Sequence, residues 1–321
     1  GGIALLRPIE TERRVLPIDY VGLGLLVIWV GCLQIILDIG RNHDWFGDPM
    51  IVVLAITSAI AFLIFVIWEL TEDHPVVDLR VLRHRGLSVS LVVLAISFGA
   101  YFAGFVIVPQ WQQAWLGYTA TQAGFSSSFT AIAGLLTAPI VVMLMPRIDP
   151  RLLVSAGIVW LAVMALTRTF WTTDSDFWTL TAPQFVQGLG MTFFMLPIIN
   201  LTLNTVEEHE VASAAGLQSF MRTIATAFAT SVSLTYWGDT QRAARNDIVG
   251  ALDPAVGDPI AGLGFSTEAA LRMLNNMVEA EATTLSVLHT FWTTSAILLI
   301  AAALIWLSPR PKRSGGMSMG H

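Results

Sequence analysis

About eight apolar runs, each long enough to cross a hydrocarbon core of about 30 Å as a helix, follow one another along this chain. They lie near residues 18–40, 50–70, 87–110, 120–145, 152–171, 178–204, 211–237 and 286–307. In lipid every backbone polar group must be satisfied internally, and unbroken runs of this length achieve that as helices rather than as a closed barrel. The composition agrees: 55% of the residues are hydrophobic and only 12% charged, about half the charged fraction of an ordinary soluble domain. The fold class this predicts is an all-α polytopic membrane protein.

Short connections such as RNHDWFGDP, MPRIDPR and TTDSD carry the Gly, Pro, Asp and Asn that end helices. Basic residues mark the cytoplasmic side of a membrane protein. With the start of the chain inside, the inner segments hold Arg7, Arg13, Arg14, Arg80, Arg83, Arg85, Arg147, Arg151, Arg310, Lys312 and Arg313. The outer segments hold only Arg41, Arg168, Arg242, Arg245 and Arg272, and Arg222 falls within a run. Both ends are therefore expected to be cytoplasmic, which an even number of spans requires. The opening GGIALLRPIETERR lacks the basic start, apolar core and small-residue cleavage site of a signal peptide, and reads as the end of a preceding helix with its linker. The expectation is a later portion of a longer protein. Cys32 is the single cysteine, which excludes an internal disulfide and a thiolate metal cluster.

The first two runs are nearly uniformly apolar, as helices facing lipid on most sides should be, with Asp38 and Glu69 at their ends, where carboxylates reach headgroups and water. From Ser88 onward the runs become two-faced. Ser90, Ser97, Tyr101 and Gly104 share one face of the third, and Ser126, Thr130, Gly134 and Thr137 one face of the fourth, ahead of Pro139, which is expected to bend it. Such stripes serve either as packing seams or as the lining of a pathway. The sixth run places Gln184, Gln187 and Met191 together, between Pro183 and Pro197, as a candidate cavity wall; the alternative is an amide bonded to a neighbouring helix. Asn200 and Asn204 point elsewhere and read as supports of the inner end. In the seventh run Gln218, Arg222, Thr226, Thr230 and Ser233 recur at helical spacing. An arginine this deep costs roughly 2.5 to 3.5 kcal/mol unless it meets water or a partner, so Arg222 should face inward. What it meets is either a proton-carrying carboxylate or substrate, or fixed backbone carbonyls. Arg222, Gln184, Gln187, Gln218, Thr226 and Tyr101 are thus the candidate cavity or coupling residues.

The connection from residue 238 to 284 carries Asp239, Asp247, Asp253, Asp258, Glu268, Glu279 and Glu281 against Arg242, Arg245 and Arg272. Leu271, Leu274 and Val278 predict a short amphipathic helix within it. His74, His84, Asp73 and Asp78 have no metal-site spacing, and no phosphate-binding loop or nucleophile elbow occurs, so no metal, cofactor or ATP hydrolysis is expected. Nothing points to nucleic acid. A polytopic lipid enzyme would require clustered His, Asp or Glu at one membrane face, which this chain lacks.

PIDYVGLGLLVIWVGCLQIILDIGRNHDWF, ELTEDHPVVDLRVLRHR, VIVPQWQQAWLGYTATQAGF, PQFVQGLGM and SAAGLQSFMRT resemble stretches of the EmrB/QacA-type drug:proton antiporters of the major facilitator superfamily, most closely the EmrB-like Gram-negative branch. The resemblance implies a fourteen-helix fold: six helices, an inserted pair and six more. Residues 18–70 would be the peripheral inserted pair, 71–86 an inner loop, 87–307 the C-terminal six-helix bundle with 238–284 as its periplasmic loop, and 308–321 a cytoplasmic tail. It further implies efflux of small lipophilic substrates coupled to protons across the bacterial inner membrane, with a periplasmic adaptor and an outer-membrane channel as partners, or in a narrower version the transport of one defined metabolite. Two stretches depart from the family pattern: SSSFTAIAG lacks a common proline, and PIVVMLMPRID lacks the usual glycine.

Overall fold

The computed structural model describes residues 19–73, 75–172, 175–207, 210–251 and 267–309. His74 and the termini with Arg7, Arg13, Arg14, Arg310, Lys312 and Arg313 lie outside them, as do Asp253 and Asp258. Two compact units emerge, residues 1–80 and 81–321.

In the first unit α1 (Tyr20–Ile39) begins at Asp19, whose Oδ1 accepts from the Val21 and Gly22 amides at 3.1 and 2.8 Å. α2 (Pro49–Thr71) begins the same way, with Asp48 accepting from Met50 N and Pro49 in the first turn, where its missing N–H costs nothing. The two pack together through Ser58, which donates to the Trp29 carbonyl at 2.9 Å, and through Trp29 edge-on to Phe62. Only 22% of the apolar window of each helix is buried, against 67% in the first helix of the bundle, so most of their apolar surface is left uncovered by the described residues. Asp38 is exposed, as expected, but Glu69 is not. It is fully buried because the chain after α2 folds back and the Val77 amide donates to its Oε2 at 3.0 Å.

The second unit contains α3 (Arg85–Trp115), α4 (Ala120–Leu144), α5 (Pro150–Thr167), α6 (Phe177–Leu203), α7 (Val211–Ala251) and α8 (Thr267–Leu304). α6 packs between α4 and α5, α3 against α7 and α8, and α8 against α5 and α7. Small residues permit the closest crossings: a Cβ at Gly188 would stand 2.2 Å from the Thr130 carbonyl, and one at Gly157 2.4 Å from the Phe194 amide nitrogen. Phe98, Ile158, Phe194, Ile198, Leu298 and Ile305 belong to one buried cluster, and Trp111, Trp171, Leu180 and Phe291 to another.

The stripe on α4 is a packing seam. Ser126 bonds Thr181 at 3.0 Å, Thr130 donates to the Gln184 carbonyl at 3.1 Å, and Thr192 donates to the Gly134 carbonyl at 3.0 Å. α4 runs unbroken through Pro139, and α6 through Pro183 and Pro197.

The expected loop 238–284 is corrected by the structure. Residues 238–251 continue α7 and 267–284 begin α8, so the short separate helix is the first part of a 38-residue one. At 1.5 Å per residue each helix is about 60 Å long, roughly twice the hydrocarbon thickness. The segment TYWGDTQRAARND contains good helix formers and no proline, so nothing stops α7 where its hydrophobicity ends. Gln241 donating to Thr283 at 2.9 Å and Arg245 paired with Glu279 at 2.5 Å join the two extensions. Val278 is buried in this pairing while Leu271 remains exposed.

Seven helices among the described residues are long and apolar enough to cross a membrane. α7, the expected seventh span, is the long helix that falls short, because Gln218, Arg222, its threonines and its polar extension lower its mean hydropathy.

Candidate functional site

Phe98, Tyr101, Phe102 and Phe105 recur along α3 at steps of three and four, so they form one aromatic ladder. Phe98 stacks on Phe102 at 5.0 Å, Tyr101 meets Phe102 edge-on at 5.4 Å, and Tyr101 stacks on Phe105 at 6.4 Å. Beside the ladder lies a cavity of about 650 Å³, walled by Tyr101, Phe102 and Phe105 of α3, Thr130 and Gly134 of α4, and Met191 and Met195 of α6. Its lining is mostly apolar; the hydroxyls of Ser128, Thr130 and Thr192 bond backbone carbonyls, while the buried Ser127 hydroxyl has no partner among the described residues.

At the Phe98 end is a second pocket of about 280 Å³, lined by Leu94 and Phe98, Met195 and Ile198, and Gln218, Ser219 and Arg222. The Arg222 guanidinium is half-buried and lies 5.6 Å from the centre of the Phe98 ring. It makes no hydrogen bond or ion pair with any described residue. Gln218 is buried and its Nε2 likewise lacks a partner there. Thr226 turns its hydroxyl back to the Arg222 carbonyl at 2.8 Å.

At the Tyr101 end the arrangement differs from expectation. Gln184 donates to Ser126 Oγ at 2.7 Å and to the Leu180 carbonyl at 3.3 Å, so its amide joins α6 to α4. Gln187 accepts from Arg168, a residue assigned to the outer segments by charge counting alone. Arg168 is only 4% exposed, with its guanidinium carbon 5.3 Å from the ring centres of both Trp171 and Phe291. The signal was present: Leu161 and Ala165 of α5 and Arg168 at its C-cap follow steps of four and three, and all three are buried. A cleft of about 10 Å³, lined by Tyr101, Gly104, Phe105, Thr130, Arg168, Gln184 and Gln187, shares Tyr101, Phe105 and Thr130 with the large cavity. The candidate residues therefore divide into two groups, Tyr101 with Gln184 and Gln187, and Gln218 with Arg222. Met195 lines both the 650 Å³ cavity and the 280 Å³ pocket.

Asn204 donates to Asn200 at the other end of α6, where both are exposed. Nearby, Glu210 accepts from Arg83 at 2.8 Å and meets His84 at 2.8 Å, tying the start of α7 to the start of α3. Desolvation pushes the Glu210 carboxyl up, but the Glu207 amide, His84 and Arg83 together hold it below its ordinary 4.5.

Residues 22–230 match the profile of the Major Facilitator Superfamily. The chain belongs to that superfamily. Among its relatives, the multidrug export protein EmrB of Escherichia coli K12 is 31% identical over 317 residues, 97% of this chain and 62% of that protein. EmrB of Haemophilus influenzae is 32% identical over 311 residues, covering 94% and 61% of the two chains. The fatty acid resistance protein FarB of Neisseria gonorrhoeae is 30% identical over 313 residues, covering 96% and 62%. The chain thus spans about three fifths of the length of these relatives, and the EmrB-type resemblance read from its motifs agrees with their identities. As a superfamily member with seven membrane-capable helices it is a multi-pass membrane protein of a transporter fold.

Proposed function

We propose that the protein exports lipophilic compounds across the bacterial inner membrane by proton antiport, working with a periplasmic adaptor and an outer-membrane channel. The observation that carries the reading is the cavity of about 650 Å³ along the aromatic ladder. Rings, methionines and small residues accept apolar molecules of varied shape, and few polar groups converge there to demand one particular partner. That lining favours many substrates over a single metabolite. The names of the relatives, multidrug export for EmrB and fatty acid resistance for FarB, point the same way.

In this reading residues 18–70 are the inserted pair and 87–307 the C-terminal bundle. Tyr101 walls the cavity with Gln184 and Gln187 behind it, Gln218 and Arg222 form the coupling pocket, and Thr226 fixes the turn of α7 that carries Arg222. No aspartate or glutamate occurs in 85–115, 120–144, 150–171, 177–203, 211–237 or 286–307. The carboxylate that carries the proton, and that Arg222 meets during the cycle, therefore lies outside these segments. Both ends of the chain are cytoplasmic, and the joined extensions of α7 and α8 project on the periplasmic side towards the adaptor. The test is accumulation of a lipophilic dye in cells producing the full-length protein. Accumulation falls relative to cells without it, and a protonophore restores it; export that survives the protonophore excludes proton antiport.

A further inference from the structure

Glu69 is a fully buried carboxyl group of which only one oxygen is bonded. Its Oε2 accepts from the Val77 amide at 3.0 Å, while Oε1 has no hydrogen-bond partner among the described residues. That oxygen faces the start of α1. A Cβ placed at Gly22 would stand 2.8 Å from it and 2.2 Å from Asp19 Oδ2, so the two carboxyl groups close on the same point of the α1 backbone, and glycine leaves room for both. The Asp19 oxygens act as acceptors, for the Val21 and Gly22 amides at 3.1 and 2.8 Å and for the Trp68 indole at 3.0 Å. The charged groups around Glu69 offer it no cation. Asp19 faces it from α1 and Asp78 from the turn that folds back, while Arg80 of that turn spends its Nη2 on the Leu70 and Glu72 carbonyls at 3.1 and 3.0 Å.

Two carboxylates facing each other, one of them shut away from water and short of a donor, repel one another and leave a buried oxygen unsatisfied. One proton between them removes both costs. We infer that Glu69 and Asp19 form a proton-binding pair, in which Glu69 holds the proton on Oε1 and donates it towards Asp19 Oδ2 while its Oε2 keeps the Val77 amide. The shared proton clasps three pieces of the first unit: the beginning of α1, the end of α2 and the turn that returns over it. The pair lies wholly within residues 1–80, so the inference does not rest on the export reading and assigns no transported proton to this site.

The experiment is an infrared pH titration of the full-length protein in lipid nanodiscs, read at the C=O stretch of protonated carboxyl groups. At neutral pH the wild type shows a band that Glu69→Gln lacks. Asp19→Asn keeps the helix cap but removes the neighbouring charge, and it lowers the pH at which that band disappears by about one unit or more. Stability supplies a second readout. The amide of Glu69→Gln offers Asp19 a donor and Val77 an acceptor at every pH, as the protonated acid does. The wild type's unfolding midpoint therefore matches the variant's in acid, and falls below it as pH rises from the ordinary glutamate value of about 4.3 through the titration of the band. Identical carboxyl bands in wild type and Glu69→Gln at neutral pH, or a Glu69→Gln variant less stable than the wild type there, overturn the inference. So does a titration that Asp19→Asn leaves unmoved, and this outcome decides alone should Glu69→Gln fail to fold.

Discussion

Arg168 and Arg222 are both guanidinium groups within the bundle, yet their surroundings differ. Arg168 is enclosed, bonded to Gln187 and clasped between Trp171 and Phe291, whereas Arg222 is half-buried over Phe98 with no hydrogen bond to any described residue. The first is fixed by Gln187 and the two rings. The second has a ring contact and no fixed polar partner among the described residues. A third site, Glu210 with Arg83 and His84, has its counter-charge Arg83 in place and lies outside the apolar spans, so it serves as a reference for both.

Three substitutions probe this contrast. Gln187→Leu should have the largest effect on stability, about 2 to 3 kcal/mol, because it removes the hydrogen bond of a buried cation and puts nothing in its place. A lowered unfolding midpoint of the purified protein would show it; an unchanged midpoint would mean that the two rings alone support Arg168. Arg222→Ala should cost less than about 1 kcal/mol, since only a partly exposed ring contact is lost. It should nevertheless abolish dye export while leaving membrane insertion intact, and normal export by this variant would reduce Arg222 to a structural role. Glu210→Gln should have the smallest effect, and one that depends on pH. The Glu210 carboxyl is held below 4.5 in the folded protein, so its contribution is present above that value and disappears as pH falls through the lower folded value. Wild type and variant should therefore differ in midpoint at pH 7 and converge in acid. A difference that persists in acid would mean that the site acts through shape rather than charge.

The helical, multi-pass class and the two-faced character of the bundle were legible in the sequence, because hydrophobic length and period are local quantities. Arg222 was legible as a charge in an apolar run that needs a partner, and the structure places it half-buried over Phe98. Gln187 was identified as a polar residue in an apolar helix, but its partner was not, because Arg168 reaches it from another helix. Glu69 was misplaced for a similar reason: the Val77 amide that it accepts from comes back to it only once the chain has turned.

Apolar length and spacing along the chain therefore determined that this protein crosses a membrane, how many times within about one, and which helices have two faces. The tertiary structure decided which polar residues meet and which helices outrun the bilayer. It also decided that Arg168, counted from the sequence as an outer charge, is the enclosed one. Hydrophobicity acts residue by residue and can be read in order, whereas the burial of a charge depends on every helix that closes over it.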